Sequence, residues 1–279
     1  GFLAPDGTNN AYKITDSGSS TVYRGGLSVS STATRSIYAR SVSGTGTATL
    51  MSYFGNTNNL FTLTEDWQRF EANGTDAVAG EDNFYAADFR GGGTLTEYIV
   101  YGAQVEALSY ATSYIPTTGV IATRLADSVT GAGDATTFNS TEGVLYAEMA
   151  ALSDDGTSRR ISLFQDLNNK VSLVLSPTSN SIQGLVVSGG SVQFNQTFSI
   201  SNTLDFNKIA FKYKTNDFAI WVNGVEVATD TSGNTPTGLS ELSFADGDNT
   251  SNVFTGKVKD VRTYNTALTD AELLTLTTI

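Results

Sequence analysis

Short runs of alternating apolar and polar residues, rather than any long helical repeat, fill this chain of 279 residues. Successive side chains of a strand point to opposite faces, so this alternation predicts half-buried β-strands. Glycine, serine, threonine, asparagine and aspartate interrupt the runs about every 8 to 12 residues, the spacing of sandwich folds. The pattern predicts an all-β chain, and the length leaves room for two antiparallel β-sandwich (jelly-roll) domains in tandem.

The first half of the chain predicts a series of short strands that ends at a domain boundary. Strands are expected at residues 11–15, 22–29, 34–40, 47–54 and 67–70. A final strand begins at Tyr98, and the segment after it reaches Pro116, where proline fixes φ and removes a hydrogen-bond donor. Gly119 then frees the next turn. We therefore assign residues 1–118 to the first domain and residues 119–279 to the second.

The second half predicts further antiparallel strands and one marked hairpin. Strands are expected at residues 143–151, 160–166, 171–175, 184–188, 191–198 and 208–214. Asn223-Gly224 is the strongest short-range hairpin signal, because both central positions of a type I′ turn need a positive φ. A two-residue loop fixes three cross-strand pairs, namely Val222 with Val225, Trp221 with Glu226, and Ile220 with Val227. The aliphatic face should be core, so Trp221 is predicted to point away from the sandwich interior.

Residues 102–119, with the sequence GAQVEALSYATSYIPTTG, follow the last strand of the first domain. This run closely resembles the segment that closes a carbohydrate-binding-module-like jelly roll in many bacteriophage tail-fibre and structural proteins. The resemblance implies a virion protein whose partners are other virion proteins. Phage fibres are commonly trimers, so it also implies a homotrimer. In such jelly rolls the sequence at residues 4–8, APDGT, usually follows a first strand or two, so the first domain is expected to be N-terminally truncated.

Two stretches of the second domain carry another resemblance. Residues 218–228, FAIWVNGVEVA, and residues 254–276, FTGKVKDVRTYNTALTDAELLTL, resemble the closing half of laminin-G-like, concanavalin A-like lectin domains. Within the second stretch, Thr269 and Glu272 have the spacing of a capping box, which predicts one short helical segment. Such domains serve as lectins, adhesion modules, enzyme domains and spacers, so the resemblance implies the fold more than the activity.

Charge and composition exclude several classes of function. The formal net charge of −12 argues against binding nucleic acid or an anionic membrane surface, because both need clustered lysine and arginine. An acidic polysaccharide is also expected to be repelled unless a bound cation bridges it. The chain has neither cysteine nor histidine, which removes thiolate metal sites and the commonest general base. No apolar stretch approaches the roughly 20 residues that span a bilayer, so no membrane insertion is expected.

The acidic residues do not form a pattern that predicts hydrolysis of sugars. That chemistry needs two carboxylates facing each other across a cleft, about 5 to 10 Å apart. The acidic neighbours Glu65-Asp66, Glu81-Asp82 and Asp154-Asp155 cannot supply such a pair from one strand, because successive residues point to opposite faces. Glycosidases on the concanavalin-like sandwich carry a Glu-x-Asp-x-x-Glu strand motif, which this sequence lacks. We therefore expect a protein that is not an enzyme.

The loop at residues 246–252 is a candidate calcium site. Asp246, Asp248 and Asn252 supply oxygen donors at intervals in a loop that contains a glycine, which suits a hard cation. The alternative is an ordinary polar hairpin loop, in which such side chains accept hydrogen bonds from their own backbone. Calcium is the one cofactor that the sequence predicts.

Aromatic residues are the candidates for contacts with a glycan, since an aromatic ring can stack on the apolar face of a sugar. Trp221 with Glu226 beside it is the first choice, and Trp67 and Tyr85 are further candidates. The alternative for each aromatic residue is a place in the core, at a strand edge or in a subunit interface. Alternation alone does not show which of them face water.

The resemblances and the composition favour a non-catalytic segment that binds glycans or mediates adhesion in a phage tail fibre or similar virion protein. Its ligand would be a host surface polysaccharide, and its location the virion. One alternative is a structural decoration or spacer protein of the virion that binds no sugar. Another is the accessory binding region of a secreted bacterial polysaccharidase, which would be extracellular.

Overall fold

The computed structural model describes residues 1–27, 32–52, 59–75, 83–117, 120–123 and 131–279. The chain forms two compact units, Gly1–Arg124 and Leu125–Ile279. The described residues contain eighteen strands and one helix, so the prediction of an all-β chain of antiparallel sandwiches is confirmed. The predicted domain boundary between residues 118 and 119 lies outside the described residues. Within the described part of the chain, no helix is long and apolar enough to cross a membrane.

The described residues of the first unit form two layers of strands. The strands are β1 (Tyr12–Thr15), β2 (Thr21–Arg24), β3 (Thr32–Ser41), β4 (Gly46–Thr49), β5 (Leu60–Leu63), β6 (Gln68–Thr75), β7 (Phe84–Asp88) and β8 (Glu97–Glu106). A four-stranded antiparallel sheet has the order β1-β8-β3-β6, and the pairs β2-β7 and β4-β5 pack against it. Their shared core includes Ile37 and Val100 from the sheet, and Leu50 and Phe84 from the other layer.

Strand ends in the first unit differ from the sequence prediction in places. The strand expected at residues 22–29 ends at Arg24, and the one expected at 47–54 ends at Thr49. Residues 28–29 and 53–54 of these predictions lie outside the described residues. The sequence analysis did not predict β5 or β7. In β7, FYAAD, four of five residues are apolar, so the strand has no alternation to detect.

The closing segment, residues 102–117, begins within β8 and turns back after Glu106. Side chains at the end of β8 accept hydrogen bonds from the part that returns. Gln104 Oε1 accepts the backbone N–H of Ile115 at 2.8 Å. Glu106 Oε2 accepts the backbone N–H of Thr112 at 2.9 Å. These bonds give partners to loop N–H groups that no strand ladder pairs. The residues that carry the phage-like resemblance are therefore the residues that close this unit.

Gly102 lies at the start of the closing segment and has a backbone conformation that favours glycine. Its φ is +63°, in the left-handed region where a Cβ atom is strained. A Cβ atom at this position would lie 3.3 Å from the Tyr114 ring and 3.3 Å from the Tyr38 ring. Glycine thus allows two tyrosine rings to approach the backbone of β8.

The second unit is a sandwich of two five-stranded antiparallel sheets. Its strands are β9 (Glu142–Ala151), β10 (Arg159–Asp166), β11 (Asn169–Leu175), β12 (Ser181–Ser188), β13 (Ser191–Ser199), β14 (Asn207–Lys214), β15 (Phe218–Val222), β16 (Val225–Asp230), β17 (Glu241–Ser243) and β18 (Gly256–Tyr264). The sheets have the orders β13-β12-β11-β10-β17 and β16-β15-β14-β9-β18. Leu163, Leu173, Phe211 and Ile220 are among the fully buried side chains between them.

The predicted hairpin at Asn223-Gly224 is present, with φ of 51° at Asn223 and 81° at Gly224. Two of the three predicted pairs are confirmed, Val222 with Val225 and Trp221 with Glu226. The third is wrong, because Ile220 pairs with Ala228 rather than with Val227. A β-bulge adds one residue to one strand and shifts the register, and alternation of residue types does not reveal it.

The predicted helical segment is α1 (Asp270–Thr277), and its capping box is confirmed. The Thr269 backbone N–H donates to Glu272 Oε2 at 2.8 Å, and the Glu272 N–H donates to Thr269 Oγ1. The helix packs on the face of β14 and β15 that points away from the main core, with Leu273 fully buried. The other buried members of this cluster are Val144, Tyr146, Ala210, Ala219 and Trp221.

A buried ion network joins the loop after β17 to the sheet that contains β10 and β11. Asp246 Oδ1 lies 2.5 Å from Lys170 Nζ, and Asp246 Oδ2 lies 2.5 Å from Arg160 Nη1. The side chains of Asp246 and Lys170 are each 7% exposed. The backbone N–H of Arg160 also donates to the carbonyl of Asn252 at 3.0 Å, so both ends of residues 246–252 are attached.

We expect Asp246→Asn to lower the free energy of unfolding of the second unit by about 3 to 5 kcal/mol, because it leaves Lys170 buried without its carboxylate. Urea unfolding measures this loss, with the fluorescence of Trp221 as the signal. The variants carry Trp67→Phe, because Trp67 is the other of the chain's two tryptophans. Asp248→Asn is the matched control, because Asp248 is exposed in the same loop. Equal losses in the two variants would show that the ion network does not stabilise the unit.

Gly102→Ala is expected to destabilise the first unit more than Gly92→Ala does. Both glycines have a positive φ, but a Cβ atom at Gly92 would meet no atom within 4 Å. The backbone strain of about 1 to 2 kcal/mol is thus common to both variants, while the contact with the Tyr114 ring adds about 1 kcal/mol or more at Gly102. Urea unfolding followed by circular dichroism tests the difference, and equal stabilities would contradict the packing argument.

Candidate functional site

Trp221 and Glu226 lie opposite each other on β15 and β16, but only Glu226 is exposed. The Trp221 ring points away from the main core, as predicted, and lies beneath α1 with 9% of the residue exposed. The prediction that Trp221 offers an exposed stacking surface is therefore wrong. The physical reason is that the outward face of β14 and β15 is itself apolar and is covered by the C-terminal helix.

The predicted calcium ligand Asp246 has other partners. Both of its carboxylate oxygens belong to the ion network with Lys170 and Arg160. A metal ion at this position would have to displace two cationic side chains. The amide nitrogen of Asn252 lies 3.4 Å from Asp246 Oδ2, so this residue turns a donor, not an oxygen, toward the carboxylate.

Asp248, the third predicted calcium ligand, accepts hydrogen bonds from its own loop. Its Oδ1 accepts the backbone N–H groups of Ser251 at 2.8 Å and Thr250 at 2.9 Å. These bonds, that of Ser251 above all, hold the pKa of Asp248 well below its usual range. The described residues contain no group of three or more acidic side chains that could hold a metal ion. In this structure the loop at residues 246–252 is held by its own hydrogen bonds and by the ion network, and a calcium ion there stays a prediction.

The acidic side chains on the outer face of the β13-β12-β11-β10-β17 sheet are also engaged. Glu241 Oε1 accepts the backbone N–H of Gly131 at 3.0 Å and an amide N–H of Asn249 at 2.9 Å. Asp246 is neutralised by the two cations of the ion network.

Of the three pairs of adjacent acidic residues, Asp154-Asp155 has contacts that attach loops. Glu65-Asp66 is exposed, and Glu81-Asp82 lies outside the described residues. In Asp154-Asp155, the first carboxylate accepts the hydroxyl of Ser179 at 2.5 Å. The second carboxylate receives two hydrogen bonds from the Arg159 guanidinium, each 2.9 Å. These contacts attach loops to the second unit.

Tyr85, a predicted glycan contact, forms a tyrosine pair with Tyr23 on the neighbouring strand. The two residues are cross-strand partners in β7 and β2, and their ring centroids are 5.1 Å apart at an interplanar angle of 26°. Tyr23 is 56% exposed and Tyr85 is partly exposed. Neither ring belongs to a core cluster of the unit. The Tyr23 ring, stacked on Tyr85, is thus the part of the pair that faces solvent.

An arginine lies next to the tyrosine pair in a fixed position. The Arg90 guanidinium carbon is 5.8 Å from the Tyr85 ring centroid. Asp88 receives two hydrogen bonds from Arg90, each 2.9 Å, and one from Ser52 Oγ at 2.8 Å. Burial opposes ionisation of Asp88, but the bonds from Arg90 and Ser52 outweigh it and leave its pKa lowered. The charged carboxylate therefore orients the arginine beside an aromatic face.

Sequence reasoning identified Tyr85 but missed Tyr23. The two residues are far apart in the chain and meet only because β2 pairs with β7. A β-bulge lies between Val22 and Tyr23, and it sets which residues of the two strands face each other. A search for exposed aromatic residues in short edge strands would have found both, but not their stacking.

Trp67, the other predicted glycan contact, is partly buried just before β6. Its indole N–H donates to the carbonyl of Leu3 at 3.3 Å. Its ring packs against a small cluster that includes Ile99 and Tyr101, and the Arg40 guanidinium carbon lies 5.5 Å from the ring centroid. A glycan contact at Trp67 remains a prediction.

Comparison with known structures gives matches of low identity. One is the leech intramolecular trans-sialidase complexed with 2,7-anhydro-Neu5Ac, at 19% identity and a TM-score of 0.43, covering 50% of this chain and 23% of that chain. Another is domain 4 of the extracellular arabinanase AbnA from Geobacillus stearothermophilus in complex with arabinotriose, at 15% and 0.39, covering 52% and 70%. The receptor-binding domain of botulinum neurotoxin type G matches at 10% and 0.39, covering 49% and 37%.

Comparison with protein families and curated sequences identifies the second unit. No curated protein sequence matches the chain. The laminin-G type family model described as the concanavalin A-like lectin/glucanases superfamily matches residues 134–274, which is half of the chain. This range contains every strand of the second sandwich from β9 to β18 and most of α1. The chain therefore belongs to the concanavalin A-like lectin/glucanases superfamily.

Proposed function

We propose that this chain is a non-catalytic glycan-binding segment of a phage tail fibre or similar virion protein, and that it recognises a host surface polysaccharide. The observation that carries the proposal is the tyrosine pair of Tyr23 and Tyr85, an exposed aromatic surface on a rigid β scaffold. Membership of a superfamily that includes lectins supports it. The first unit supplies the contacts, since the aromatic candidate in the second unit lies beneath a helix.

The tyrosine pair has the chemistry that sugar recognition needs. An exposed aromatic face offers apolar contact to the C–H side of a sugar ring, and a phenolic hydroxyl adds a hydrogen-bond donor and acceptor. Stacking on Tyr85 fixes the orientation of Tyr23, so little rotamer freedom remains to be lost on binding. Arg90 lies at the rim of this surface and is oriented by Asp88. Its guanidinium donors would bind sugar hydroxyls that lie beside the stacked ring.

Two further features support the proposal. The closing segment carries the resemblance to phage tail-fibre and structural proteins, and this favours a virion over a secreted polysaccharidase. The chain lacks the Glu-x-Asp-x-x-Glu strand motif of glycosidases on the concanavalin-like sandwich, and this favours binding without catalysis. These features support a virion module that attaches to a carbohydrate surface.

We expect Tyr23→Ala to lower the affinity for a glycan ligand by about tenfold or more, the loss typical of a central aromatic anchor. The measurement is a screen against an array of host surface polysaccharides, followed by titration of the best ligand. Tyr12→Ala is the matched control, because Tyr12 is an exposed tyrosine, at 70%, on another strand of the same unit. Tyr23 is largely exposed, so both variants should melt within a few degrees of the parent protein.

The array also separates this proposal from the spacer alternative. Saturable binding that Tyr23→Ala removes and Tyr12→Ala retains supports recognition at the tyrosine pair. An array on which the parent protein binds no glycan would favour a structural decoration or spacer protein. Equal effects of the two substitutions would place the glycan elsewhere on the molecule.

A further inference from the structure

We propose that the outer face of the β1-β8-β3-β6 sheet carries a second binding site, which takes a sugar that bears a carboxylate. This arginine face consists of Tyr38, Arg40, Trp67, Arg69 and Glu71. The proposal rests on the glycan-binding function above and adds a class of ligand to it. The residues come from β3 and β6 and the turn before β6, whereas the tyrosine pair comes from β2 and β7.

Strand register places these side chains on one surface. Ile37 and Ala39 of β3 belong to the buried core of the unit, so Tyr38 and Arg40, which alternate with them, point to the opposite face. Arg69 of β6 is the cross-strand partner of Tyr38. The arginine face therefore lies on the side of the sheet away from the core.

Both arginines of this face lie over aromatic rings. The Arg69 guanidinium carbon is 5.6 Å from the Tyr38 ring centroid, and that of Arg40 is 5.5 Å from the Trp67 ring centroid. Contact with a ring restrains a guanidinium group and leaves in-plane N–H donors for another acceptor. A planar carboxylate fits such a donor pair with two parallel hydrogen bonds.

Hydrogen-bond donors on this face exceed the acceptors. Arg69 Nη2 donates to Ser36 Oγ at 2.8 Å, while Arg69 Nε is buried and has no hydrogen-bond partner among the described residues. Glu71 Oε1 is 3.8 Å from Arg69 Nη1, beyond hydrogen-bond distance. Arg40 donates through Nη1 to the carbonyl of Ser41 at 3.2 Å. Because Arg69 Nε is buried, an anionic acceptor bound here would engage the guanidinium N–H groups at the surface.

The charge of the whole chain makes such binding specific to this face. The net charge of −12 repels anionic polymers, so an acidic polysaccharide should bind only where positive charge is locally in excess. On the arginine face the carboxylate near the two guanidinium groups is that of Glu71, while Asp6 and Glu106, on the same side of the sheet, accept hydrogen bonds from Tyr101 and Thr112. The Glu71 side chain is 46% exposed, so it can turn away from an incoming anion.

Stacked arginines also have a purely structural use. Long charged side chains cover apolar rings, and charges on an outer strand discourage strand addition. The structural use predicts that loss of Arg40 or Arg69 changes the stability of the unit and leaves the binding of acidic polymers unaltered. Recognition of a carboxylate predicts instead that this binding weakens when the planar guanidinium group is replaced.

The test uses the full chain with polygalacturonate, alginate and hyaluronan, which are polymers of sugars that carry carboxylates, and with carboxyl-reduced polygalacturonate as the matched neutral polymer. We expect at least one acidic polymer to bind and carboxyl-reduced polygalacturonate not to bind. Arg40→Gln and Arg69→Gln should each weaken binding by about tenfold or more. Arg40→Lys should also weaken it, because lysine keeps the charge but lacks the planar fork.

Glu71→Gln keeps the test valid if an arginine variant fails to fold. It removes the carboxylate next to Arg69 and should strengthen the binding of the acidic polymer. Tyr12→Ala, at an exposed tyrosine outside both surfaces, should leave that binding unchanged. Binding of a neutral glycan that Tyr23→Ala removes would keep the proposed function even if no acidic polymer bound, so the two failures can be distinguished. The proposal is overturned if no acidic polymer binds, if the carboxyl-reduced polymer binds equally, or if the acidic polymer binds with the same affinity in Arg40→Lys and the parent protein.

Discussion

The second unit depends on the ion pairs of Asp246 with two cationic side chains, Lys170 and Arg160, which attach a loop to the outer face of a sheet. Removal of this buried carboxylate would leave the buried Lys170 ammonium without its partner. The same contacts fix the loop at residues 246–252 against β10. The second unit thus uses this carboxylate to fix its own loop.

In the first unit, the two proposed surfaces belong to different layers of one sandwich. The tyrosine pair lies on β2 and β7, and the arginine face lies on β3 and β6. A common core connects the layers, with Ile37 packed in the same cluster as Phe84. Neither surface needs a moving loop, so binding would cost little ordering. One polysaccharide chain that reached both surfaces would bind more tightly through its effective concentration than through either surface alone.

Much of the fold could be predicted from the sequence, because alternation and turn chemistry are local. The Asn223-Gly224 turn and the capping box of Thr269 and Glu272 depend on residues within a few positions of each other. Pairing across the chain is not local. The bulge that moves Ile220 to Ala228, and the β2-β7 pairing that joins Tyr23 to Tyr85, depend on the packing of complete sheets.

The candidate site was harder to predict for the same reason. Trp221 does point away from the main core, but alternation does not reveal that α1 returns to cover it. Oxygen donors in a loop can bind a cation or their own backbone, and the choice depends on partners such as Lys170, which are distant in sequence. The net charge of −12 predicts that an acidic polysaccharide is repelled. A net charge does not show where Arg40 and Arg69 lie, so it could not predict the arginine face.

The position of β6 gives its charged residues a consequence for solution behaviour. It is the outermost strand of its sheet in the described residues, and an outer strand can pair with another chain. Arg69 and Glu71 place opposite charges on the exposed side of that strand and discourage such pairing. An anion bound at Arg69 would cancel part of this protection. Binding of an acidic ligand at the arginine face would therefore weaken the protection of β6 against pairing with another chain. The protein should then self-associate most at high concentrations of that ligand.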